Sequence, residues 1–228
     1  MHLNDKTKDF SQKAVIFDMD GVICHTNPYH AKAFEAFFDN YQIPYTEQEF
    51  EEHMYGKHNS YIMTHFFKRA ISGEELRKLE EEKEGLFRSI YREKVETLPY
   101  YIEFLEDLKL HGFRTAVATS APRANLDLIL DVLKIEEKME SLLASEDVTH
   151  HKPDPEVYLM SAERLGVSPA ECVVFEDSFS GVTAALRAGM KVVGVLSSHT
   201  REQLPPCDFY IHNYSEINAD GVLNLLNS

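Results

Sequence analysis

Four short apolar runs punctuate the chain, and each stops abruptly at polar residues. Ala14-Val15-Ile16-Phe17 ends at Asp18-Met19-Asp20-Gly21, and Thr115-Ala116-Val117-Ala118-Thr119 leads into Ser120. Cys172-Val173-Val174-Phe175 precedes Glu176-Asp177, and Val192-Val193-Gly194-Val195-Leu196 completes the set. Runs this short, apolar without alternation, predict parallel strands buried on both faces. Between them lie helix-periodic segments: Ile102 to His111 closed by Gly112, Arg123 to Leu133, Pro155 to Leu165 closed by Gly166, and Gly181 to Ala188 closed by Gly189. A glycine just past the last periodic residue is a helix stop, because it takes a left-handed conformation without steric cost. Alternating strand and helix predict an α/β fold, a doubly wound parallel sheet whose ligands bind at the strand C-termini.

The interval 26–97 breaks this alternation. It is rich in aromatic residues, helix-periodic, and has no strand candidate of comparable quality, so it reads as an inserted α-helical domain, with 1–25 and 98–228 forming the α/β core. Pro28 marks the first turn of one helix, and Phe34, Phe37 and Phe38 follow on a common face. Ser72-Gly73-Glu74-Glu75 has the spacing of a capping box and opens a charged helix running towards Val95, after which Pro99 ends the insertion. The run Glu80-Glu81-Glu82 reads as a solvated helix face.

With 228 residues and 43% hydrophobic content, the chain buries enough surface to fold without staples. Its three cysteines are an odd number and show no C-x-x-C spacing, which predicts a reduced, cytoplasmic protein. Met1 to Gln12 is polar, and no apolar run approaches the roughly 18 residues of a membrane span. Lys plus Arg number 23 against 38 Asp plus Glu, a formal charge of −15 that repels nucleic acid and anionic membranes. Neither of these, nor a protein partner, is expected. A phosphorylated small molecule would meet the same repulsion, so a phosphate site here must gather its few cations locally and add metal and backbone N–H groups.

Asp18 and Asp20 stand two residues apart just past a buried strand, so alternation sends both side chains into one cleft while Met19 points away. A carboxylate attacking phosphorus forms an acyl phosphate, and a second carboxyl group can protonate the leaving oxygen. An isolated D-x-D-G is more often a turn or cap. Glu176-Asp177 ends another apolar strand, however, and two acidic strand ends in one parallel sheet call for a cation such as Mg²⁺, which prefers hard oxygen ligands. Thr119 offers a hydroxyl and Ser120 a backbone N–H to phosphoryl oxygens, although Ser120-Ala121-Pro122-Arg123 equally reads as a helix start with Ser120 as its cap. Lys152, between His151 and Pro153, can act as a fixed point charge on phosphate or be an ordinary surface lysine.

Asp-x-Asp-Gly, a strand-end Thr, Lys-Pro and Glu-Asp, in this order, resemble the haloacid dehalogenase superfamily. Phe17-Asp18-Met19-Asp20-Gly21-Val22-Ile23, Lys152-Pro153-Asp154-Pro155 and Phe175-Glu176-Asp177-Ser178-Phe179-Ser180-Gly181 resemble its β-phosphoglucomutase-like branch, which carries a helical cap. The resemblance covers nearly the whole chain from Lys13 and implies a Rossmann-like core with the insertion as cap. It further implies Asp18 as nucleophile, Asp20 as general acid/base, Thr119 and Lys152 at the phosphate, and Asp18, the Asp20 carbonyl, Glu176 and Asp177 around Mg²⁺. Thr26 and His30 fall where that branch couples cap closure to the acid/base, although an ordinary helix histidine is an equal reading of His30. Gly56-Lys57-His58-Asn59 resembles the cap's specificity loop. There the chain has Asn59 where the mutase has an arginine, and the mutase's other cap lysine falls near Phe87; both departures argue against mutase activity.

His53 and His58, and the pair His150-His151, lack H-E-x-x-H spacing and accompanying cysteine pairs, so no zinc site is expected, and a hinge role is one reading of His25. Cys24 reads as a small buried hydrophobe. These features predict a Mg²⁺-dependent phosphatase of a small phosphorylated metabolite, a sugar or polyol phosphate, acting through an aspartyl phosphate. A β-phosphoglucomutase-type mutase is the runner-up, and a catalytically inactive scaffold is the third reading.

Overall fold

In the computed structural model, which describes residues 10, 12–54 and 59–228, the first apolar run forms strand β1 (Ala14–Phe17). It is joined by β2 (Arg114–Ala118), β3 (Ser141–Leu143), β4 (Cys172–Glu176), β5 (Lys191–Val195) and β6 (Phe209–Ile211). All pairings are parallel, in the order β3-β2-β1-β4-β5-β6, which is the doubly wound sheet expected from the sequence. Phe17 stands opposite Val117 on one side and Phe175 on the other. The chain therefore leaves β1 towards β2 and later returns to β1's other flank with β4, and the strand order reverses at that point.

The edge strands β3 and β6 are absent from the sequence-based expectation. Each has three residues, and two of the three in β6 remain partly exposed. A strand paired on one side only does not require a run buried on both faces, so the apolar signal is missing.

The helices, in chain order, are α1 (Asn27–Asn40), α2 (Glu47–Met54), α3 (Asn59–Phe66) and α4 (Gly73–Tyr91) in the insertion. They continue as α5 (Tyr101–Leu110), α6 (Arg123–Leu133), α7 (Glu156–Leu165), α8 (Phe179–Arg187) and α9 (Ala219–Leu226). On one face of the sheet α7 packs on β1, β2 and β3 while α8 packs on β4 and β5; on the other, α5 meets β2 and α9 meets β4. Among the described residues no helix is long and apolar enough to cross a membrane.

Side chains alternate across the central strands, so one strand feeds two cores. Ala14, Ile16, Ala116, Ala118 and Val174 join Tyr158, Ala162 and Leu165 of α7 and Val182 and Ala185 of α8. On the opposite face Phe17 and Phe175 meet an aromatic cluster: Phe17 lies 5.2 Å from Tyr101 edge-on, and Phe104 lies 5.3 Å from Phe175 and 5.2 Å from Tyr214. Offset and edge-on rings at these separations add to the burial term.

The chain divides into two compact units, one made of the segments up to His25 and from Glu96 to Ser228, the other of Thr26–Val95. The second unit has its own core, in which Phe34, Phe37 and Phe38 of α1 pack with Phe50, Ile62, Met63, Phe66 and Leu79. Ser72 occupies the N-cap of α4, but the expected capping box does not form: Ser72 makes no side-chain cap hydrogen bond. Glu75, its intended partner, is instead held by both guanidinium nitrogens of Arg69, at 3.0 and 2.5 Å. A bidentate, charge-assisted pair outcompetes a single bond to a backbone N–H.

Phe104 touches three aromatic partners in the face beneath α5, so Phe104→Ala is expected to destabilise the protein by about 3–5 kcal/mol in urea unfolding. A loss under about 1 kcal/mol would show that this cluster does not hold the sheet.

Candidate active site

The reversal between β1 and β4 brings two acidic strand ends together. Asp18 continues β1 by one residue, its N–H donating to the carbonyl of Phe175 at 3.0 Å, and its side chain is buried. Asp20 follows in a tight turn in which the Gly21 N–H donates to the Cys24 carbonyl at 2.7 Å. Gly21 adopts a φ of +73°, and a Cβ there would fall 2.0 Å from Asp177 Oδ2, so both conformation and space require glycine.

Lys152 enters from the loop before α7 and is buried. Its Nζ donates to Asp18 Oδ1 at 2.6 Å, Glu176 Oε1 at 2.7 Å and the Ala118 carbonyl at 3.1 Å, which uses all three ammonium protons. Burial opposes the charge on Lys152, but the adjacent Asp18 and Glu176 carboxylates outweigh it and hold the ammonium well above its ordinary range.

Glu176 is fully buried, and both of its carboxylate oxygens accept hydrogen bonds. Oε1 takes Lys152 and the Tyr158 hydroxyl at 2.8 Å; Oε2 takes the N–H groups of Asp177 and Ser178 at 3.0 Å each and the Ser178 hydroxyl at 2.9 Å. Burial alone would raise its pKa, but Lys152 and these donors lower it. Gly181 makes room for this carboxylate, since a Cβ there would lie 1.6 Å from Oε1.

Asp177 is placed by a segment that sequence reasoning missed. After β5, Ser197 donates to the Gly21 carbonyl and lies 3.4 Å from Asp177 Oδ2, and His199 Nδ1 donates to the Asp177 backbone carbonyl at 2.9 Å. Ser-Ser-His after a strand carries no distinctive spacing, and only the strand order reveals that β5 ends beside β4.

Carboxylate oxygens of Asp18, Glu176 and Asp177 lie within 4.8 Å of one another, all buried. Burial pushes Asp18 up to about 7, with Glu176 and Asp20 adding repulsion and Lys152 opposing it. Burial, then Glu176 and Asp18, pushes Asp177 well up. Three carboxylates against one ammonium leave this pocket short of positive charge, and its all-oxygen donor set suits a hard divalent cation.

Thr119 lies at the end of β2, buried, and its Oγ1 accepts the Ala121 N–H at 3.0 Å, leaving its own O–H to donate. Ser120 is exposed, and the cap reading of its side chain fails: the N-terminus of α6 is served by Glu146, whose oxygens take the Arg123 N–H at 2.9 and 3.1 Å. His150, Asp154 and Glu156 also cluster, but Glu156 spends its oxygens on the Thr149 and His150 N–H groups at 2.8 Å each, a loop-closing role.

In the inserted unit, Thr26 is buried and its carbonyl accepts the Tyr29 and His30 N–H groups at 2.9 and 3.1 Å, starting α1. His30 stacks on Phe87 at 3.8 Å, with Nδ1 2.8 Å from Lys83 Nζ. Gly56, Lys57 and His58 lie outside the described residues. Asn59 begins α3 and donates to Glu84 Oε1 at 2.9 Å. On α4, one turn before Phe87, Lys83 is buried, with its Nζ 2.8 Å from Glu84 Oε1. Its position after three glutamates disguised it as part of a solvated charge run.

A parallel α/β sheet with an acidic cluster and a buried lysine at its reversal point, and with a helical insertion after β1, defines a class of hydrolases. A family model for haloacid dehalogenase-like hydrolases matches residues 15–195. A phosphorylated carbohydrates phosphatase of Thermotoga maritima is 36% identical over 82% of this chain and 86% of its own length. A fructose-1-phosphate phosphatase of Escherichia coli is 34% identical over 79% of this chain and 95% of its own. The crystal structure of a family IA, variant 3 haloacid dehalogenase hydrolase from Entamoeba histolytica superposes with a TM-score of 0.88 at 29% identity, covering 95% of this chain and all of that one. The chain belongs to the haloacid dehalogenase-like hydrolase family.

Gly181→Ala should drive Glu176 out of its five-donor cradle and cost about 1–3 kcal/mol, read as a lowered urea midpoint. An unchanged midpoint would mean that Glu176 is not fixed by this packing.

Proposed function

We propose that this chain is a Mg²⁺-dependent phosphatase of small phosphorylated carbohydrates, sugar or polyol phosphates, acting through an aspartyl phosphate on Asp18. The observation that carries this reading is Lys152 held between Asp18 and Glu176 at the sheet reversal, with Asp177 alongside. The substrate class follows the two relatives above, one named for phosphorylated carbohydrates and the other for fructose 1-phosphate.

Asp18 attacks phosphorus while the bond to the leaving alcohol breaks, and Asp20 gives that alkoxide its proton. Asp20 then takes a proton from water as its oxygen attacks the phosphoryl group, releasing orthophosphate and restoring Asp18. Lys152 presents fixed positive charge to the phosphoryl oxygens, with the Thr119 O–H and the Ser120 N–H as neutral donors. Asp18, Glu176, Asp177 and the Asp20 carbonyl would hold the Mg²⁺. Bound there, the ion neutralises charge on the transferring group and orients it.

Asp18→Asn should abolish Mg²⁺-dependent release of phosphate from p-nitrophenyl phosphate and from a sugar phosphate panel, with the circular dichroism spectrum unchanged. Near-wild-type turnover in this variant would overturn the mechanism, and a wild type inactive with every phosphoester would favour the scaffold reading. Asp20→Asn should lose roughly 10²–10⁴-fold with alkyl phosphates and less with p-nitrophenyl phosphate, whose leaving group needs little protonation.

A mutase needs a cation for its second phosphate. Within the inserted unit Lys83 is paired with Glu84 at 2.8 Å, and Asn59, where the mutase has an arginine, carries no charge. Net phosphate release should therefore exceed conversion of β-glucose 1-phosphate to glucose 6-phosphate even with β-glucose 1,6-bisphosphate supplied. A coupled dehydrogenase assay beside a free-phosphate assay measures both, and fast isomerisation with negligible release would reverse the assignment.

A further inference from the structure

We infer that Tyr158 is a positioning residue for the phosphate site, its hydroxyl and ring fixing Lys152 through Glu176. This rests on the phosphatase reading, in which Lys152 meets the phosphoryl group. Tyr158 lies on α7, six residues after Lys152, and is fully buried. Its hydroxyl donates to Glu176 Oε1 at 2.8 Å, the oxygen that also accepts Lys152 at 2.7 Å. Its ring lies under the same ammonium, with Nζ 4.9 Å from the centroid. Tyr158 thus touches both members of the Lys152–Glu176 pair, once through a hydrogen bond and once through its π face.

The two contacts have distinct consequences. A phenyl ring alone would fill the core beside Ala162 and Leu165 equally well, so packing explains the ring and leaves the hydroxyl unexplained. With the hydroxyl present, Oε1 shares its charge between two donors, and Lys152 divides its protons among Glu176, Asp18 and the Ala118 carbonyl. Without it, Oε1 keeps Lys152 as its only donor among these contacts. The ammonium is then drawn towards Glu176 and away from Asp18, where an incoming phosphate would need it.

Orthophosphate titrated calorimetrically into the full-length protein, without added metal and again with Mg²⁺, tests this. Tyr158→Phe should weaken phosphate binding by about tenfold or more, the range for a hydrogen bond to a charged group. Tyr101→Phe is the control, since Tyr101 is equally buried on the opposite face and its hydroxyl finds no partner among the described residues. It should stay within about twofold, because it removes no bond to a charged group. Placing p-aminophenylalanine at position 158 restores a donor at the same place and should restore affinity, which also covers the case in which Tyr158→Phe folds poorly. Unchanged affinity in Tyr158→Phe, equal weakening in both phenylalanine variants, or no rescue by the amino analogue would overturn the inference while leaving the phosphatase reading intact. A wild type with no affinity for orthophosphate would overturn both.

Discussion

One buried ammonium governs the arrangement of this sheet edge. Lys152 has both carboxylate neighbours within 2.7 Å, in a pocket where neither charge has water to fall back on. Breaking a pair of that kind leaves an uncompensated buried charge, which is strongly destabilising, so the surrounding chain is organised to keep it intact. β1 and β4 run side by side in register, which brings Asp18 and Glu176 to the same height. The loop ahead of α7 delivers the lysine between them, and two glycines, Gly21 and Gly181, remove the side-chain atoms that would collide with Asp177 and Glu176.

Under the proposed function, the same pocket must bind a phosphoryl group in a protein of strongly negative charge. The formal charge of −15 repels phosphate over most of the surface. In that proposal the local balance would be set by Lys152, the Thr119 hydroxyl, backbone donors at the sheet edge and a divalent cation. Burial lifts Asp18 to about 7 and pushes Asp177 well up, so a divalent cation beside them would favour their ionised forms.

What was legible in the sequence follows from burial. β1, β2, β4 and β5 are covered on both faces, and that coverage writes continuous apolar runs whose abrupt polar ends mark Asp18, Thr119, Glu176 and Asp177. β3 and β6 lie at the edges and leave no such trace. Tyr158 was invisible because a tyrosine on the apolar face of a helix looks like core, and Ser197 and His199 because a post-strand loop has no period. Lys83 was hidden inside the charged stretch of α4, and Ser72 misled because Arg69, three residues before it, competes for the glutamate its motif requires. For Tyr158, Ser197, His199 and Lys83 the deciding contact joins segments far apart in the sequence, which local spacing does not encode.

In the proposed mechanism the phosphoryl group passes through a covalent bond to Asp18. Rapid acid quenching during turnover, followed by borohydride reduction, converts an aspartyl phosphate to homoserine, which peptide mapping locates. Homoserine is expected at position 18, formed only when a phosphorylated substrate and Mg²⁺ are present. Homoserine at Asp20, or unmodified aspartate throughout a reaction that is releasing phosphate, would contradict it.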